Sequence, residues 1–408
     1  MENKKTGNIL KITSAIIITA FITFVLTSII TMVVSFKIFN KNESYYIRNA
    51  KTNSMSLDAT LENFKKVLEK KYIGEINEEK MIESAIKGYV AGLEDPYTQY
   101  LTKEEMQEFT EDTQGEYVGI GVYTTNDTEK NAIVVLRTIG DSPASKAGLL
   151  TGDIITKVND VEYTGEKLSE AVKEMKGEAG TSVKITILRN NQEIEYNIIR
   201  ENIKISHVSS EVLENNIGYI KISSFEGGCS AEFLNKYKEI KNKNISSLII
   251  DLRYNGGGIV DEALKIADLM VPKDEVLLIT SDKEQSEEIT KAKKKEEINL
   301  PIVVLVNEYS ASASEILAGI LKEDINAKLI GVKTYGKGVI QTVYTLSDGS
   351  GLKITTNEYF TPNHNKINKI GIEPTIEIKL PEEYRYTSNV PREEDTQLKK
   401  AIDELNNN

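Results

Sequence analysis

Residues 12–36 form an uncharged run of 25 residues, and no other stretch of the 408-residue chain matches it. At 1.5 Å per residue, a helix of that length reaches about 37 Å, enough to cross a hydrocarbon core of ~30 Å with some tilt. The apolar part of a secretory signal is shorter, about 7–15 residues, and ends at a small-residue cleavage site. Val33-Val34-Ser35-Phe36 is a poor site of that kind, so the run reads as an uncleaved anchor. Lys4, Lys5 and Lys11 precede it, while Lys37, Lys41, Arg48 and Lys51 follow. That balance is nearly even, so the charges alone do not orient the span. A long following domain is exported largely regardless of its charge. The expectation is a single-pass protein of the cell membrane, its bulk on the extracytoplasmic side.

Beyond the anchor the period changes twice. Over 45–110, Leu61, Phe64, Leu68 and Tyr72 recur at helical spacing, as do Met81, Ala85, Tyr89 and Leu93, until Asp95-Pro96 breaks the pattern. From 113 to 202 short β-like runs predominate, at 117–123, 132–138, 154–158 and 183–189, with an amphipathic helix at 168–175. Gly119-Ile120-Gly121, the SPA…AGL turn at 142–149 and the GD-x-I-x-x-V-N sequence at 152–159 make this stretch resemble a bacterial PDZ domain. Such a domain adds a peptide as an extra strand and holds its terminal carboxylate on successive backbone N–H groups. Gly119, Ile120 and Gly121 are the residues that would do so here. Glycine lets backbone come close to the carboxylate, although these glycines also suit a plain β-turn.

From 203 to 380 strands and helices alternate. Candidate strands at 217–222, 247–252, 302–306 and 328–332 are separated by helices at 230–242, 259–270 and 312–323, an order that implies an α/β core with largely parallel pairing. A last segment, 381–408, carries Leu398, Ala401, Ile402 and Leu405.

Composition narrows the chemistry. The formal charge is −12 and the pI near 5.1, which excludes a surface that tracks nucleic-acid phosphates. The single cysteine, Cys229, excludes an internal disulfide and a multi-cysteine metal site. Two histidines, His207 and His364, leave little room for histidine catalysis or metal binding. No G-x-S-x-G elbow, H-E-x-x-H or G-x-G-x-x-G occurs. Gly331 to Lys337 fits most of a phosphate loop, but Gly338 stands where Mg²⁺ coordination needs Ser or Thr.

Two strand ends remain. The strand at 302–306 runs into NEYSASASE (307–315), and the strand at 328–332 into TYGKG (334–338). A serine hydroxyl becomes a competent nucleophile when a base takes its proton, and a neutral lysine amine serves. Lys337 would then need its pKa lowered by about 3 units, roughly 4 kcal/mol. The competing reading is structural: Ser312 and Glu315 fit a helix capping box, and Lys337 fits a solvated loop. On spacing alone the structural reading outweighs the catalytic one.

The wider pattern reverses that balance. DLRYNGGG at 251–258, NEYSASASE at 307–315 and TYGKGVIQT at 334–342 occur in one order behind a PDZ-like region, and Asp95-Pro96-Tyr97-Thr98 and Gly371-Ile372-Glu373-Pro374 accompany them. From about residue 55 onward the chain resembles the carboxyl-terminal processing proteases, which are serine peptidases. The resemblance implies an α/β fold with a ClpP/crotonase-like peptidase core (203–380) and an inserted PDZ domain (113–202, β-rich, α+β). Around these stand a helical N-terminal subdomain (45–112), a C-terminal segment (381–408) available for dimerisation and, read from its own apolar run, one N-terminal transmembrane helix within 1–44. Carried over by position, Ser312 is the nucleophile, Lys337 the general base and Gln341 the residue that orients it. Ser310 and Ser314 are packing or capping residues, and Glu323 has no catalytic part. The backbone of Ala313 and of the Gly257-Gly258 turn would form the oxyanion hole. Lys176 stands where some members place an arginine that couples peptide capture to the active site; it keeps the charge and loses the bidentate fork. The implied activity needs no cofactor and no metal. Its partners would be protein or peptide substrates with accessible, apolar C termini, the membrane through residues 12–36, and a second copy as a homodimer, with no nucleic acid. Two rivals stand beside it: a catalytically silent, membrane-tethered PDZ scaffold, and acyl-CoA chemistry on the same core.

Overall fold

The structure is a computed structural model that describes residues 56–294, 297–385, 387 and 390–407. The predicted span at 12–36 lies outside these residues. Among the described residues no helix is long and apolar enough to cross a membrane.

The chain divides into two compact units, residues 1–78 and 79–408, with the division inside the predicted 45–112 subdomain. In the first unit, helix α1 (Leu57–Lys71) starts at Ser56, whose hydroxyl accepts the Ala59 N–H. It ends with Lys70 and Lys71, cations that suit the negative end of its dipole. The second unit opens with α2 (Glu78–Ala91), β1 (Gln99–Leu101) and α3 (Lys103–Gln114). Thr102 and Glu105 form a capping box on α3, and Gly115 ends it in the left-handed region at φ 67°.

The PDZ-like region follows as β2 (Glu116–Gly119), β3 (Val122–Asp127), β4 (Ala132–Thr138), α4 (Pro143–Ala147), β5 (Ile154–Val158), β6 (Val161–Glu162), α5 (Leu168–Met175), β7 (Ser182–Arg189), β8 (Gln192–Ile199) and β9 (Glu201–Lys204). Strands β3-β4-β5-β7-β8 form an antiparallel sheet, and β6 pairs with β5. Ile133, Val135, Ile155, Val158, Ile185 and Ile187 meet Ala171 and Met175 of α5 in a closed core. β2 and β9 pair antiparallel from Glu116–Lys204 to Gly119–Glu201. The two chain crossings therefore lie side by side, as an insertion requires.

The remaining elements are β10 (Val208–Val212), β11 (Ile217–Ile222), α6 (Cys229–Lys241), β12 (Ser247–Asp251), α7 (Val260–Ala267), β13 (Val276–Asp282), β14 (Glu287–Lys291), β15 (Ile302–Val306), α8 (Ala313–Asp324), β16 (Lys328–Gly331), β17 (Val339–Thr345), β18 (Gly351–Phe360), β19 (Ile376–Glu377) and α9 (Thr396–Asn406). The main sheet runs β10-β11-β12-β15-β16-β19, antiparallel at β10 and parallel elsewhere, as predicted. Successive residues of its central strands face opposite sides. Leu248, Ile250, Val304 and Val306 share a cluster with α6, α7 and α8, while Ile249, Val303, Leu305 and Ile330 share another with Leu398 and Ala401 of α9. A sheet buried on both faces explains why these strands read as continuous apolar runs. A second, antiparallel sheet, β1-β18-β13-β14 with β17 on β18, was not foreseen.

The C-terminal segment needs correction. Leu398, Ala401, Ile402 and Leu405, read as a dimer contact, cover the back of this chain's own sheet. Leu398 is 6 % exposed and Ala401 is fully buried. Leu398→Ala is therefore expected to lower stability by about 2–5 kcal/mol, the range for deleting a buried leucine side chain. Denaturant unfolding would measure the loss, and light scattering should give an unchanged oligomeric state; a changed state with unchanged stability would restore the dimer reading.

Candidate active site

Three adjacent parallel strands, β12, β15 and β16, deliver the candidate residues at their carboxyl ends, where α/β sheets place functional loops. The loops are braced by side chains on main chain. Asn307 Oδ1 accepts the N–H groups of Tyr254 (2.9 Å) and Tyr309 (3.2 Å), and the Ala311 N–H donates to the Asn255 carbonyl at 3.0 Å. The Tyr335 N–H donates to the Ser310 carbonyl at 3.1 Å, which ties in the third loop.

The three serines of the 310–314 run have different surroundings. Ser310 Oγ donates to the Leu252 carbonyl at 2.8 Å, and Ser314 Oγ to the Asn255 carbonyl at 2.9 Å. Those two hydroxyls are committed to structure. The Ser312 hydroxyl instead has the Tyr359 hydroxyl as a neighbour. Ser312 is the N-cap of α8 at φ 55°, ψ −118°, a conformation that costs a non-glycine residue on the order of 1–3 kcal/mol. The capping arrangement differs from the usual box: the Glu315 N–H donates to the Ser312 carbonyl at 2.8 Å, while Glu315 Oε2 accepts the Ser312 N–H at 2.9 Å. The helix start is thus held by main chain and glutamate.

Gly257, at φ 106°, presses on the serine: a Cβ there would stand 2.7 Å from Ser312 Cβ and 3.0 Å from the Ala313 nitrogen. The Gly257 N–H is spent on Asn255 Oδ1 at 2.8 Å. Its carbonyl accepts the Phe225 N–H, and Gly258 abuts Phe225 in a β-bridge. Of the predicted oxyanion donors, Gly258 and Ala313 are the two whose N–H groups have no acceptor among the described residues. Ala313, as the first residue of a helix, has no intrahelical acceptor to offer its N–H.

Lys337 is half-buried. Burial, and then the neighbouring Lys353, hold its amine below the ordinary lysine range, against the opposing pull of Asp95 and Glu315. Its Nζ stands over the Tyr97 ring, 4.7 Å from the centroid. Its backbone is pinned from two sides. Glu315 Oε2 accepts the Lys337 N–H at 2.9 Å, and the fully buried Tyr359 donates its hydroxyl to the Lys337 carbonyl. Glu315 also accepts from Gly336 N–H (2.7 Å) and Thr334 Oγ1 (2.6 Å). Burial pushes its carboxyl up, and the four donors pull the other way. Gln341 sits differently from the expected orienting residue: its Nε2 donates to Thr355 Oγ1 at 3.3 Å, after a bulge between Ile340 and Gln341. Glu323, at the far end of α8, accepts from Asn363 and Asn365.

In the PDZ-like region, Gly121 lies at φ 76°, where a Cβ would fall 2.3 Å from Ser142 Cβ. The Ile120 carbonyl accepts from Ala144 N–H, and the Gly121 carbonyl from Ile139 N–H and Ser142 Oγ. Tied carbonyls fix this loop. Lys176 Nζ pairs with Glu111 of α3 at 2.8 Å and lies 5.3 Å from the Tyr117 ring centroid. Cys229 is buried, which pushes its thiol up to about 12.

Sequence reasoning missed Tyr359 and Tyr97 as site residues and gave Glu315 only half its role. Tyr97 lies in the DPYT motif at 95–98, which was noted without a function. Tyr359 had no local signal, being 22 residues from Lys337 and 47 from Ser312.

Family comparisons cover the described regions in the same order. The model for "Peptidase family S41" matches residues 216–378, that for "PDZ domain" residues 117–199, and that for "Activating protease CtpB N-terminal domain" residues 16–105. A "Probable CtpA-like serine protease" of Staphylococcus epidermidis is 35% identical over 368 residues, covering 90% of this chain and 73% of the relative. Among solved structures, the photosystem II D1 C-terminal processing protease aligns over 79% of this chain and 88% of its own, with 28% identity and a TM-score of 0.47. An S41 protein from Bacteroides fragilis NCTC 9343 aligns over 83% and 91%, with 17% identity and a TM-score of 0.50, a likeness of fold.

The Glu315 arrangement makes a test. Glu315→Gln presents an amide N–H₂ to two N–H donors, so it breaks one side of the bracket while keeping the volume. Displacing a reacting group by about 1 Å costs on the order of 10²-fold, so kcat is expected to fall by about that factor with KM little changed. Steady-state kinetics would check it, and a KM effect alone would relocate Glu315 to substrate binding.

Proposed function

The chain belongs to peptidase family S41 and is a serine protease, and on that premise we propose that it is a membrane-anchored endopeptidase that cuts proteins near their C termini. Membership of a peptidase family sets aside the silent scaffold and the acyl-CoA reading. The observation that carries the site assignment is the contrast among the three serines. Among the described residues Ser312 is the one of the three whose hydroxyl donates to no main-chain carbonyl, on a strained N-cap facing Gly257, with the Ala313 and Gly258 N–H groups free for an oxyanion.

In the proposed reaction the Ser312 hydroxyl attacks the scissile carbonyl carbon as its proton passes to neutral Lys337 Nζ. The oxygen that gains charge is held by the Ala313 and Gly258 N–H groups, donors that cost no reorganisation when charge develops. The carbon–nitrogen bond breaks as the Lys337 ammonium protonates the leaving amine, and an acyl ester remains on Ser312. Lys337 then takes a proton from the water that attacks the ester, and returns it to Ser312 Oγ as the ester bond breaks and the second product leaves. Gln341 acts on the lysine only through Thr355 and β18 in this reading.

The PDZ domain would capture the substrate's C-terminal carboxylate on the Gly119-Ile120-Gly121 loop. Half-buried Val122, Leu168 and Val172 at the edge of its core favour apolar last residues. The Lys176–Glu111 pair supports a coupling role for Lys176, since it joins the PDZ domain to the helix ahead of it. The proposal includes an anchor at 12–36 with the catalytic part outside the cell membrane. It also includes a homodimer through the helical region, where Ile82, Ile86 and Tyr89 are exposed.

The test uses the chain without its first 44 residues, beside Ser312→Ala and Lys337→Ala, on an unfolded protein ending in apolar residues, with products read by mass spectrometry. Cleavage near the C terminus by the parent alone is the expected result; equal cleavage by all three would remove the dyad. Because the base works as the neutral amine, activity should rise with pH through the depressed Lys337 value, with the half-maximum below the ordinary 10.5 of lysine. Lys337→Arg, which stays charged, should be inactive across that range.

A further inference from the structure

The DPYT turn at 95–98 lies between α2 and β1, ahead of the PDZ domain in the chain, yet its tyrosine ring meets Lys337 Nζ. Asp95 holds the turn: its carboxylate accepts the Tyr97 N–H at 3.1 Å and Thr98 Oγ1 at 2.6 Å. Thr98 Oγ1 in turn accepts the Thr355 N–H of β18 at 3.0 Å. The next residues, Gln99 to Leu101, pair antiparallel with Lys353 to Gly351 of the same strand. β18 also carries Tyr359, which touches both Ser312 and the Lys337 carbonyl. The Tyr97 ring is thereby fixed to the strand that frames the dyad, and its hydroxyl neighbours that of Tyr335, two residues before Lys337.

From this geometry we infer that Tyr97 is a positioning residue for the base Lys337, its ring face setting where Nζ sits and favouring the ammonium formed when the nucleophile gives up its proton. The inference rests on Lys337 being the base. An aromatic face is electronegative and attracts a cation without accepting its proton, so it can support the ammonium and still leave the amine free to act. The other groups around Lys337 are Lys353 of β18, Asp95 of the turn, Glu315 of α8, and the phenols of Tyr335 and Tyr359. Lys353 and burial disfavour the charged amine; the two carboxylates and the ring favour it. The peptidase core is then incomplete without a residue from the region that precedes the PDZ domain. Residues 203–380 supply the nucleophile, the oxyanion donors and the lysine, but not the surface on which the lysine rests.

Three substitutions separate the ring face from packing and from the hydroxyl, each followed as kcat/KM against pH on the full-length chain. Tyr97→Phe keeps the face, and its activity should rise over the same pH range as the parent's. Tyr97→Leu keeps the site dry and removes the face; the ammonium loses support, and the rise should move to lower pH by about half a unit, with kcat down roughly tenfold and KM nearly unchanged. Tyr97→Ala admits water, and the rise should move the opposite way, toward the ordinary lysine value. Tyr97→Met replaces the leucine variant should that one fail to fold, as judged by thermal unfolding. A rise at the parent's pH in both Leu and Ala variants would overturn the inference, as would a phenylalanine variant as impaired as leucine, which would assign the role to the hydroxyl. Ser312→Ala alongside keeps the two readings apart: cleavage that survives it refutes the dyad itself, whatever Tyr97 does.

Discussion

One buried carboxylate sets the distance between the two halves of the proposed dyad. Glu315 lies in the first turn of α8 and accepts four hydrogen bonds, one from the turn that carries Ser312 and three from Thr334, Gly336 and Lys337 of the neighbouring loop. Ser312 and Lys337 are 25 residues apart, on loops after different strands, with α8 and β16 between them. Charge-assisted hydrogen bonds from main-chain N–H groups are the strong kind, and here they act on backbone, which carries the side chains with it. The strained Ser312 conformation fits this view, because a residue at φ 55° persists only where its surroundings over-determine it. Gly257 behind it, Glu315 beneath it and Tyr359 beside it provide that surrounding.

The bracket needs a rigid base, which is the sheet buried on both faces. The face under α6, α7 and α8 forms the larger cluster; the opposite face is closed by α9, the last helix of the chain. Arg253 ties this closure to the catalytic loops. Its guanidinium is buried between Asp251, at the end of β12, and Asp395, the N-cap of α9, and it also donates to Gln397. Removing one member of such a buried set leaves an uncompensated charge, a cost of about 3–5 kcal/mol. Asn255, whose side chain holds the Gly257 N–H, is two residues further along the same loop. Helix α9 therefore supports the turn at 255–258 from behind, a role that the apolar spacing of 398–405 does not announce.

What was legible in the sequence follows from this layering. Strands buried on both faces show as apolar runs rich in Val, Ile and Leu, so β12 and β15 stand out, and the helices between the strands follow from order. The second sheet did not show, because β18 mixes Thr, Asn, Glu and Lys with its apolar residues and is only partly buried along most of its length. Its partners β1 and β13 are also distant in sequence, so no local turn signal joins them. The site divides in the same way. Ser312, Lys337 and the two glycines lie in compact motifs that the eye can find. Gln341 follows from the family resemblance, four residues after the lysine, and the bulge at Ile340/Gln341 shifts the register of the strand, which re-aims a side chain.

Tyr97 illustrates the limit of reading a site from local motifs. Its turn is separated from Lys337 by the whole PDZ domain and most of the core, so no spacing rule links the two. Folding brings them together because the PDZ domain is inserted between strands that must meet. β2 and β9 close the insertion on itself, and the chain ahead of it is free to add β1 to the edge of β18. Glu111 and Thr113 of α3 then contact Lys176 and Gly227, on the PDZ and core sides of the same neck. The run from the DPYT turn through β1 and α3 to β2 thus touches the lysine at one end and enters the carboxylate loop at the other.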